Sequence, residues 1–457
     1  MTASPSTIIM PVENQVREMD AKILLSCVAA ERGYPVLIGS RAYIHFKTAS
    51  VPRGVYMAKS MKTRSDRMFK LLNQTGHDIV AWDEEGLLRE PDPIYHRWRL
   101  SAVAMNRIAY LTTWGEDNAK AFRAFKGYND TPIRVTGNPR IDLLRPELRA
   151  YYQPESDLIR DQYGDFIMVN TNFSKVNHYY VQLGELKQAV EDKKNGRRDP
   201  YDAGKGRHKI TIFEHFKKML PVLCEAFPDH KIVLRPHPSE SHEIWKQIGK
   251  DHPNLVITNE GNVHPWLLAA KAVVANGCTT LVESAILGTP GVNYEPVTVD
   301  EYDFPITRDV SRRVFNIDEL LTAVRSIVNG ELGPLDYAVR KAALEPHIAA
   351  LEGRLAADRI VDVLDEGGYR DKQPPAPPWL DRVNGWYQTH LRTIEKRINM
   401  RRPGHRNNIA LHNHRYPGIS EEEMTAIIGR FGELLNRFDD IKVKKHSTHL
   451  YWIYRES

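Results

Sequence analysis

Residues 272–296, AVVANGCTTLVESAILGTPGVNYEP, pass from a short apolar strand through a small-residue turn at Asn276, Gly277 and Cys278 into a helix opening at Thr279 and Thr280. A second apolar strand, closing on NYEP, follows that helix. A strand that gives way to helical spacing and returns to a strand is the βα unit of a parallel sheet. Upstream, DFIMVNTNF (165–173), KIVLRPHPSE (231–240) and NLVITNE (254–260) are further strands, separated by helical patterns around 212–230 and 265–272. The first third of the chain repeats this alternation in YPVLIGSR (34–41), GVYMAKSM (54–61), HDIVAWDEEG (77–86), RIAYLTTWGEDNAKAFRAF (107–125) and TPIRVTGNPRIDLL (131–144).

The reading is α/β, with two Rossmann-like doubly wound domains facing a cleft and a C-terminal appendage. Residues 1–150 are expected to form the N-terminal domain and 151–335 the second. Residues 336–370 are expected to form one helix crossing back over the first domain. After the Pro-rich linker DKQPPAPPW, residues 371–457 are expected to be a basic, α-rich appendage. A chain of 457 residues is long enough for two cores.

Composition narrows the function classes. The 63 Lys and Arg exceed the 58 Asp and Glu by only five, which gives no case for nucleic acid as a partner. Cys27, Cys224 and Cys278 lie far apart without metal-binding spacing, so no metal site and no disulfide framework is expected, and a cytoplasmic setting is. No apolar run reaches bilayer-spanning length. Membrane contact is therefore expected to be peripheral only, at the inner face of the plasma membrane, through the basic appendage. HExxH, CxxC, GxSxG, the dinucleotide fingerprint and the P-loop pattern are all missing from the sequence.

Four strand ends carry residues suited to chemistry. In RPHP, prolines on both sides of His237 stiffen the backbone, Arg235 offers a planar fork for phosphate, and Ser239 is placed to cap a following helix. In NGCTTLVES, Gly277 permits close backbone approach. The amides and hydroxyls at Cys278, Thr279 and Thr280 suit phosphate oxygens, and Glu283, one turn on, suits ribose hydroxyls. Thr279 as an ordinary N-cap and Glu283 as a first-turn charge is the plainer alternative for each taken singly. Asn170, Thr171 and Asn172 end the first strand of the second domain. In the first domain Asp83, Glu84 and Glu85 precede Gly86. Mutual repulsion is expected to raise the pKa of at least one, readying it for acid, base or nucleophile work.

WDEEGLLRE, GNPRIDLL, VNTNF, VLRPHPSE, EGNVHPWLLAA and NGCTTLVESAILGTPGVNYEP occur in that order between Lys22 and Asp365. In this ordered set the chain resembles the bacterial surface-carbohydrate biosynthesis proteins. The resemblance implies a GT-B-like pair of domains and a glycosyltransferase of polysaccharide or other surface-glycan synthesis. More distantly, RPHP is similar to the His-Pro motif of transferases that use CMP-activated acid sugars, among them sialyltransferases and the retaining β-Kdo transferases of capsule synthesis. That similarity implies that His237 and Pro238 hold the nucleotide, with Thr279, Thr280 and Glu283 completing the phosphate and ribose pocket. EEGLLRE is similar to the acidic motif of the β-Kdo transferases, and Glu85 matches its carboxylate before Gly. Here Glu replaces Asp, Leu87 replaces an aromatic residue and Glu90 replaces Ser, so nucleophile, general base and structural acid stay open for Glu84 and Glu85.

The expected partners are a nucleotide-sugar donor and a glycan or lipid-linked glycan acceptor, with no resident cofactor. The rivals are a sugar-nucleotide epimerase, a polyol-phosphate transferase on the same architecture, and a non-catalytic glycan- or nucleotide-binding scaffold.

Overall fold

Strands form where the apolar runs stand. In chain order they are β1 (Thr7–Val12), β2 (Val36–Ser40), β3 (Gly54–Ala58), β4 (Asp78–Ala81), β5 (Tyr110–Thr113) and β6 (Ile133–Val135). They continue as β7 (Phe166–Asn170), β8 (Lys231–Arg235), β9 (Leu255–Ile257), β10 (Ala272–Ala275), β11 (Gly291–Tyr294) and β12 (Arg312–Val314). A terminal hairpin adds β13 (Ile441–Ser447) and β14 (Leu450–Arg455). The computed structural model describes residues 5–179, 188, 190, 199–403, 405 and 408–456.

The chain divides into two units, Met1–Tyr151 with Glu345–Ser457, and Tyr152–Leu344. The first unit holds an eight-stranded sheet in the order β13-β14-β2-β1-β3-β4-β5-β6. Strands β1 to β6 pair in parallel, whereas β14 joins β2 antiparallel. Every residue of β1, β2 and β3 is buried. Helices on both faces demand that burial, and continuous apolar runs rather than alternating ones supply it. Ile9, Leu37, Phe69, Leu72, Ile79 and Phe122 belong to one apolar cluster of this unit.

The second unit holds a six-stranded, wholly parallel sheet in the order β12-β11-β10-β7-β8-β9. Counted within the unit, this is the strand order 3-2-1-4-5-6 of Rossmann sheets. Ile167, Val169, Phe216, Leu220, Ile232 and Val274 share its core. The fold class is thus the α/β class expected, with two doubly wound units.

Four local expectations are corrected. Strand β1 precedes YPVLIGSR, the first strand of the expected alternation. STIIMPV is short and carries Pro11, so its strand signal is weak, but as a parallel strand it pairs with both β2 and β3.

The single helix expected over 336–370 is two, Tyr337–Leu344 and Ala356–Glu366. Pro346 and the left-handed residues Ala350 (φ 61°) and Gly353 (φ 71°) lie between them, and the unit boundary falls at Leu344. The second helix is capped across the unit by Asp142, whose carboxylate accepts from the amides of Ala356 at 2.8 Å and Ala357 at 2.9 Å.

The α-rich appendage has helices Trp379–Met400, Ile409–Arg415 and Glu421–Leu435, the last with a Ser420/Glu423 capping box. It also supplies the β13–β14 hairpin that extends the first sheet. At the junction Gly39 has φ 153°, and a Cβ there would stand 2.0 Å from the carbonyl oxygen of His449. Residues 404, 406 and 407 of the basic stretch lie outside the described residues. Finally, Ser239 caps no helix: the one that follows, Glu243–Gly249, has His242 at its N-cap and no side-chain cap bond.

Candidate functional site

In a doubly wound sheet two neighbouring strands send their connections to opposite faces, and a crevice opens at their carboxyl ends. In the second unit those strands are β7 and β10. Their ends carry Asn170–Asn172 and Asn276–Thr280, two of the stretches singled out in the sequence.

The crevice is closely tied. Asn172 Nδ2 donates to the carbonyls of Asn276 at 3.0 Å and Gly277 at 3.1 Å. Asn276 Nδ2 donates to the Tyr294 carbonyl at 2.9 Å, and the Gly277 amide donates to Asn293 Oδ1 at 3.2 Å. Gly277 has φ 50°, the left-handed conformation that the turn into helix Thr279–Leu287 requires. Cys278 is the N-cap of that helix and makes no side-chain cap bond. Beneath the crevice the buried Lys209, on helix Pro200–Ala226, donates to Asn276 Oδ1 at 3.2 Å and Asn172 Oδ1 at 3.4 Å. A cation thus sits between the two strand ends, and the sequence reading missed it because Lys209 lies mid-helix, far from any strand end.

The RPHP turn ends the neighbouring strand β8. His237 is half-buried, and its Nδ1 accepts from the Ser239 amide at 3.2 Å. Nδ1 being the acceptor, the neutral ring carries its proton on Nε2, so Nε2–H is a donor. Thr171 Oγ1 donates to Glu240 Oε2 at 2.8 Å, the Phe173 amide donates to the same oxygen at 3.0 Å, and Trp245 Nε1 donates to Oε1 at 3.0 Å. Burial pushes the Glu240 carboxyl up against these bonds. Glu240 therefore clamps the turn onto the end of β7. Arg235 turns toward the loop before helix Val263–Ala269: its guanidinium lies 4.6 Å from the Trp266 ring centroid and donates to the Gly261 carbonyl at 3.2 Å. Burial presses its pKa down to about 9, which leaves it charged at neutral pH.

Glu283 is buried one turn inside its helix, with an oxygen 3.6 Å from His264 Nε2, whose Nδ1 is 3.1 Å from the Tyr152 hydroxyl. Along this edge four buried polar atoms have no hydrogen-bond partner among the described residues: Asn170 Oδ1, Arg235 Nη1, His264 Nε2 and Thr280 Oγ1. Each such atom costs about 1–3 kcal/mol.

In the first unit the corresponding crevice lies between β1 and β3. Their ends carry Glu13 and Lys59, joined at 3.1 Å, and Lys59 also bridges Glu18. Glu18 pairs with Lys22 at 2.7 Å, and Glu13 with Arg41 at 2.9 Å. Burial raises the Glu13 carboxyl, but Arg41 and Lys59 outweigh it and hold the pKa at about 2. The appended helix Ile409–Arg415 brings His412 Nε2 to 2.8 Å from Ser40 Oγ at the end of β2. Sequence reading missed this network, whose one visible sign is a lone charge directly after an apolar strand at Glu13 and at Lys59.

The three carboxylates after β4 part company. Asp83 is buried, accepting from the Arg99 guanidinium, including Nε at 2.9 Å, and from the Tyr95 hydroxyl at 3.0 Å. Glu84 is buried, accepts from Trp82 Nε1 at 2.8 Å and lies 3.6 Å from Arg140. Glu85 turns outward, 47% exposed, and pairs with Arg17 at 2.9 Å. The rise in pKa expected from mutual repulsion is not what Glu85 shows. Its packed neighbours oppose ionisation only in part, because the side chain is half open to solvent, and Arg17, Arg99, Lys59 and Arg140 hold its carboxyl below the usual carboxylate range. Among the described residues no group of three or more His, Cys, Asp or Glu is placed to hold a metal ion.

No protein-family model matches the chain, and no curated protein matches its sequence. Solved structures do. The UDP-GlcNAc 2-epimerase of Methanocaldococcus jannaschii in complex with UDP-GlcNAc and UDP is 14% identical, covering 79% of this chain and 99% of its own, with a TM-score of 0.45. The wall teichoic acid polymerase TagF is 13% identical over 80% of this chain and 90% of its own, at 0.46. Anabaena HepE in complex with UDP and glucose is 10% identical over 79% and 100%, at 0.43.

Proposed function

We propose that the protein is a glycosyltransferase of surface-glycan synthesis that takes its sugar from a nucleotide donor. The observation that carries this reading is the second unit's crevice, where Asn172, Asn276 and the Lys209 ammonium meet beside the uncapped start of helix Thr279–Leu287. Backbone amides, a cation and the adjoining His237 Nε2–H are together suited to the phosphate oxygens of a nucleotide. In this reading Thr279, Thr280 and Glu283 take the remaining phosphate and ribose contacts.

The donor is assigned as an acidic sugar such as Kdo carried by CMP, on the strength of the RPHP resemblance. Lys209 and Arg235 would favour a donor with an extra carboxylate. Glu85 is the carboxylate that reacts: it is the outward one, whereas Asp83 and Glu84 are spent on Arg99, Tyr95 and Trp82. With its pKa depressed, Glu85 is ionised at neutral pH and acts as nucleophile or base, not as general acid. Preorganised donors stabilise the leaving phosphate as charge develops on it.

A thermal-shift panel of CMP, CMP-Kdo, CDP-glycerol, UDP and UDP-GlcNAc tests the assignment. A ligand at a hundred times its Kd adds about 2.7 kcal/mol to the folded state. CMP compounds are expected to raise Tm and Glu85→Gln to keep that shift while losing transfer. A shift with UDP or CDP compounds alone overturns the CMP donor, and full transfer by Glu85→Gln removes Glu85 from the chemistry.

A further inference from the structure

Helix Trp379–Met400 is docked with its polar side inward. It packs on helices Asp66–Gln74 and Arg41–Lys47 of its own unit through Gly385, Thr389, Arg392 and Lys396. A Cβ on Gly385 would stand 2.9 Å from Gln74 Cβ, Thr389 is buried, Arg392 Nη1 donates to Met68 Sδ at 2.9 Å, and Lys396 Nζ lies 3.3 Å from His45 Nδ1. The opposite side is apolar and exposed: Trp379, Leu380, Val383, Trp386, Tyr387, Leu391, Ile394 and Ile398 are each between 41% and 69% accessible. At 100° per residue these eight fall within about two-fifths of the circumference, an arc that also takes in His390 and Arg397, along a helix about 33 Å long.

A water-facing helix normally buries its apolar stripe, so this arrangement calls for an apolar phase outside the protein. Its rim is cationic. Of the six Lys or Arg in 379–402, Arg392 and Lys396 turn inward; Arg382 and Arg402 are exposed at the borders of the apolar face and Arg397 and Arg401 are exposed within its C-terminal end, against the exposed Asp381 and Glu395. Two Trp and a Tyr, a Leu/Ile stripe and bordering arginines are the composition of a helix that lies in a lipid interface with its charges at the headgroups. No described helix is long and apolar enough to cross a membrane, so contact here lies along the surface. A second copy fits less well, because a two-fold contact through this face would set its cationic excess against itself.

We propose that the Trp379–Met400 face is a docking surface for an anionic phospholipid bilayer. The proposal stands independently of the catalytic assignment.

Flotation of the full chain with vesicles tests it. The chain is expected to float with phosphatidylcholine vesicles containing about a quarter phosphatidylglycerol, and poorly with phosphatidylcholine alone. Trp386→Ser with Ile394→Ser is expected to weaken binding about a hundredfold. Arg397→Glu with Arg401→Glu is expected to weaken it about thirtyfold on the anionic vesicles only. All four positions are exposed, so an unchanged Tm serves as the control for folding. Absence of flotation by the wild-type chain overturns the proposal, as does undiminished flotation of the Trp386→Ser/Ile394→Ser chain. A wild-type dimer that those serines dissociate, without flotation, assigns the face to a second copy and equally overturns it.

Discussion

His237 has two jobs in this account, and two substitutions separate them. Its Nδ1 holds the turn by accepting from the Ser239 amide at 3.2 Å, and its Nε2–H is assigned to the donor phosphate. His237→Ala removes both. The lost turn bond is a neutral one worth about 0.5–1.5 kcal/mol, which in a unit of this size lowers Tm by about 2–4 °C per kcal/mol. The lost phosphate bond is charge-assisted and worth about 1.5–3 kcal/mol, or about ten- to a hundredfold in Kd. His237→Asn behaves differently. An Asn oxygen accepts from the amide two residues on, as in an Asx turn, so Ser239 keeps its acceptor while the Nε2 donor disappears. Titration calorimetry with CMP and Tm measurement on both variants give the answer. The Asn variant is expected to melt with the wild type yet bind CMP about ten- to a hundredfold more weakly. Wild-type affinity in a well-folded His237→Asn chain refutes the reasoning and leaves His237 a turn residue only.

Lys209→Met removes the cation beneath the crevice, and is expected to weaken nucleotide binding by about 1.5–3 kcal/mol in the same titration. Stability should fall in acid: a Glu13 pKa of about 2 against 4.5 unfolded stabilises the fold fully above pH 4.5, and this is lost as pH drops through 2. The contribution is about 3 kcal/mol at pH 7, and urea melts of Glu13→Gln should show a shallower acid decline than the wild type. Gly39→Ala drives a Cβ to within 2.0 Å of the His449 carbonyl, so it should cost about 1–3 kcal/mol in urea melts; a neutral result would contradict the close β2–β14 contact.

Most of the fold was legible because strands buried on both faces read as continuous apolar runs, and GVYMA, FIMVN and AVVA needed no other clue. What escaped notice depended on context. The strand TIIMPV includes a proline and sits before the first obvious helix, and only pairing on both sides with β2 and β3 makes it a strand. The hairpin IKVKKHS/LYWIYR has charged side chains along one strand, as suits the outer edge of a sheet, and its appended position hid its partner β2. Sequence periodicity carried through Pro346, whereas the backbone did not.

The strand ends that frame the candidate site were legible where small or polar residues follow an apolar run, as at Asn172, Gly277 and His237. The second unit's crevice was illegible where Lys209 reaches in from mid-helix, and so, in the first unit, was the separate network of Glu18 and Lys59. Sequence could also count the three carboxylates of WDEEG without telling that Arg99 and Trp82 take two of them inward and leave Glu85 outward.

The central claim is that a donor nucleotide sits at the carboxyl ends of β7, β8 and β10. Amide hydrogen exchange of the full chain with and without saturating CMP tests it most directly. The account predicts slowed exchange confined to residues 170–173, 237–240 and 276–281, beside the bonds that tie Asn172, Ser239 and Gly277. No protection there with CMP, CDP or UDP, or protection only in the first unit, would contradict it.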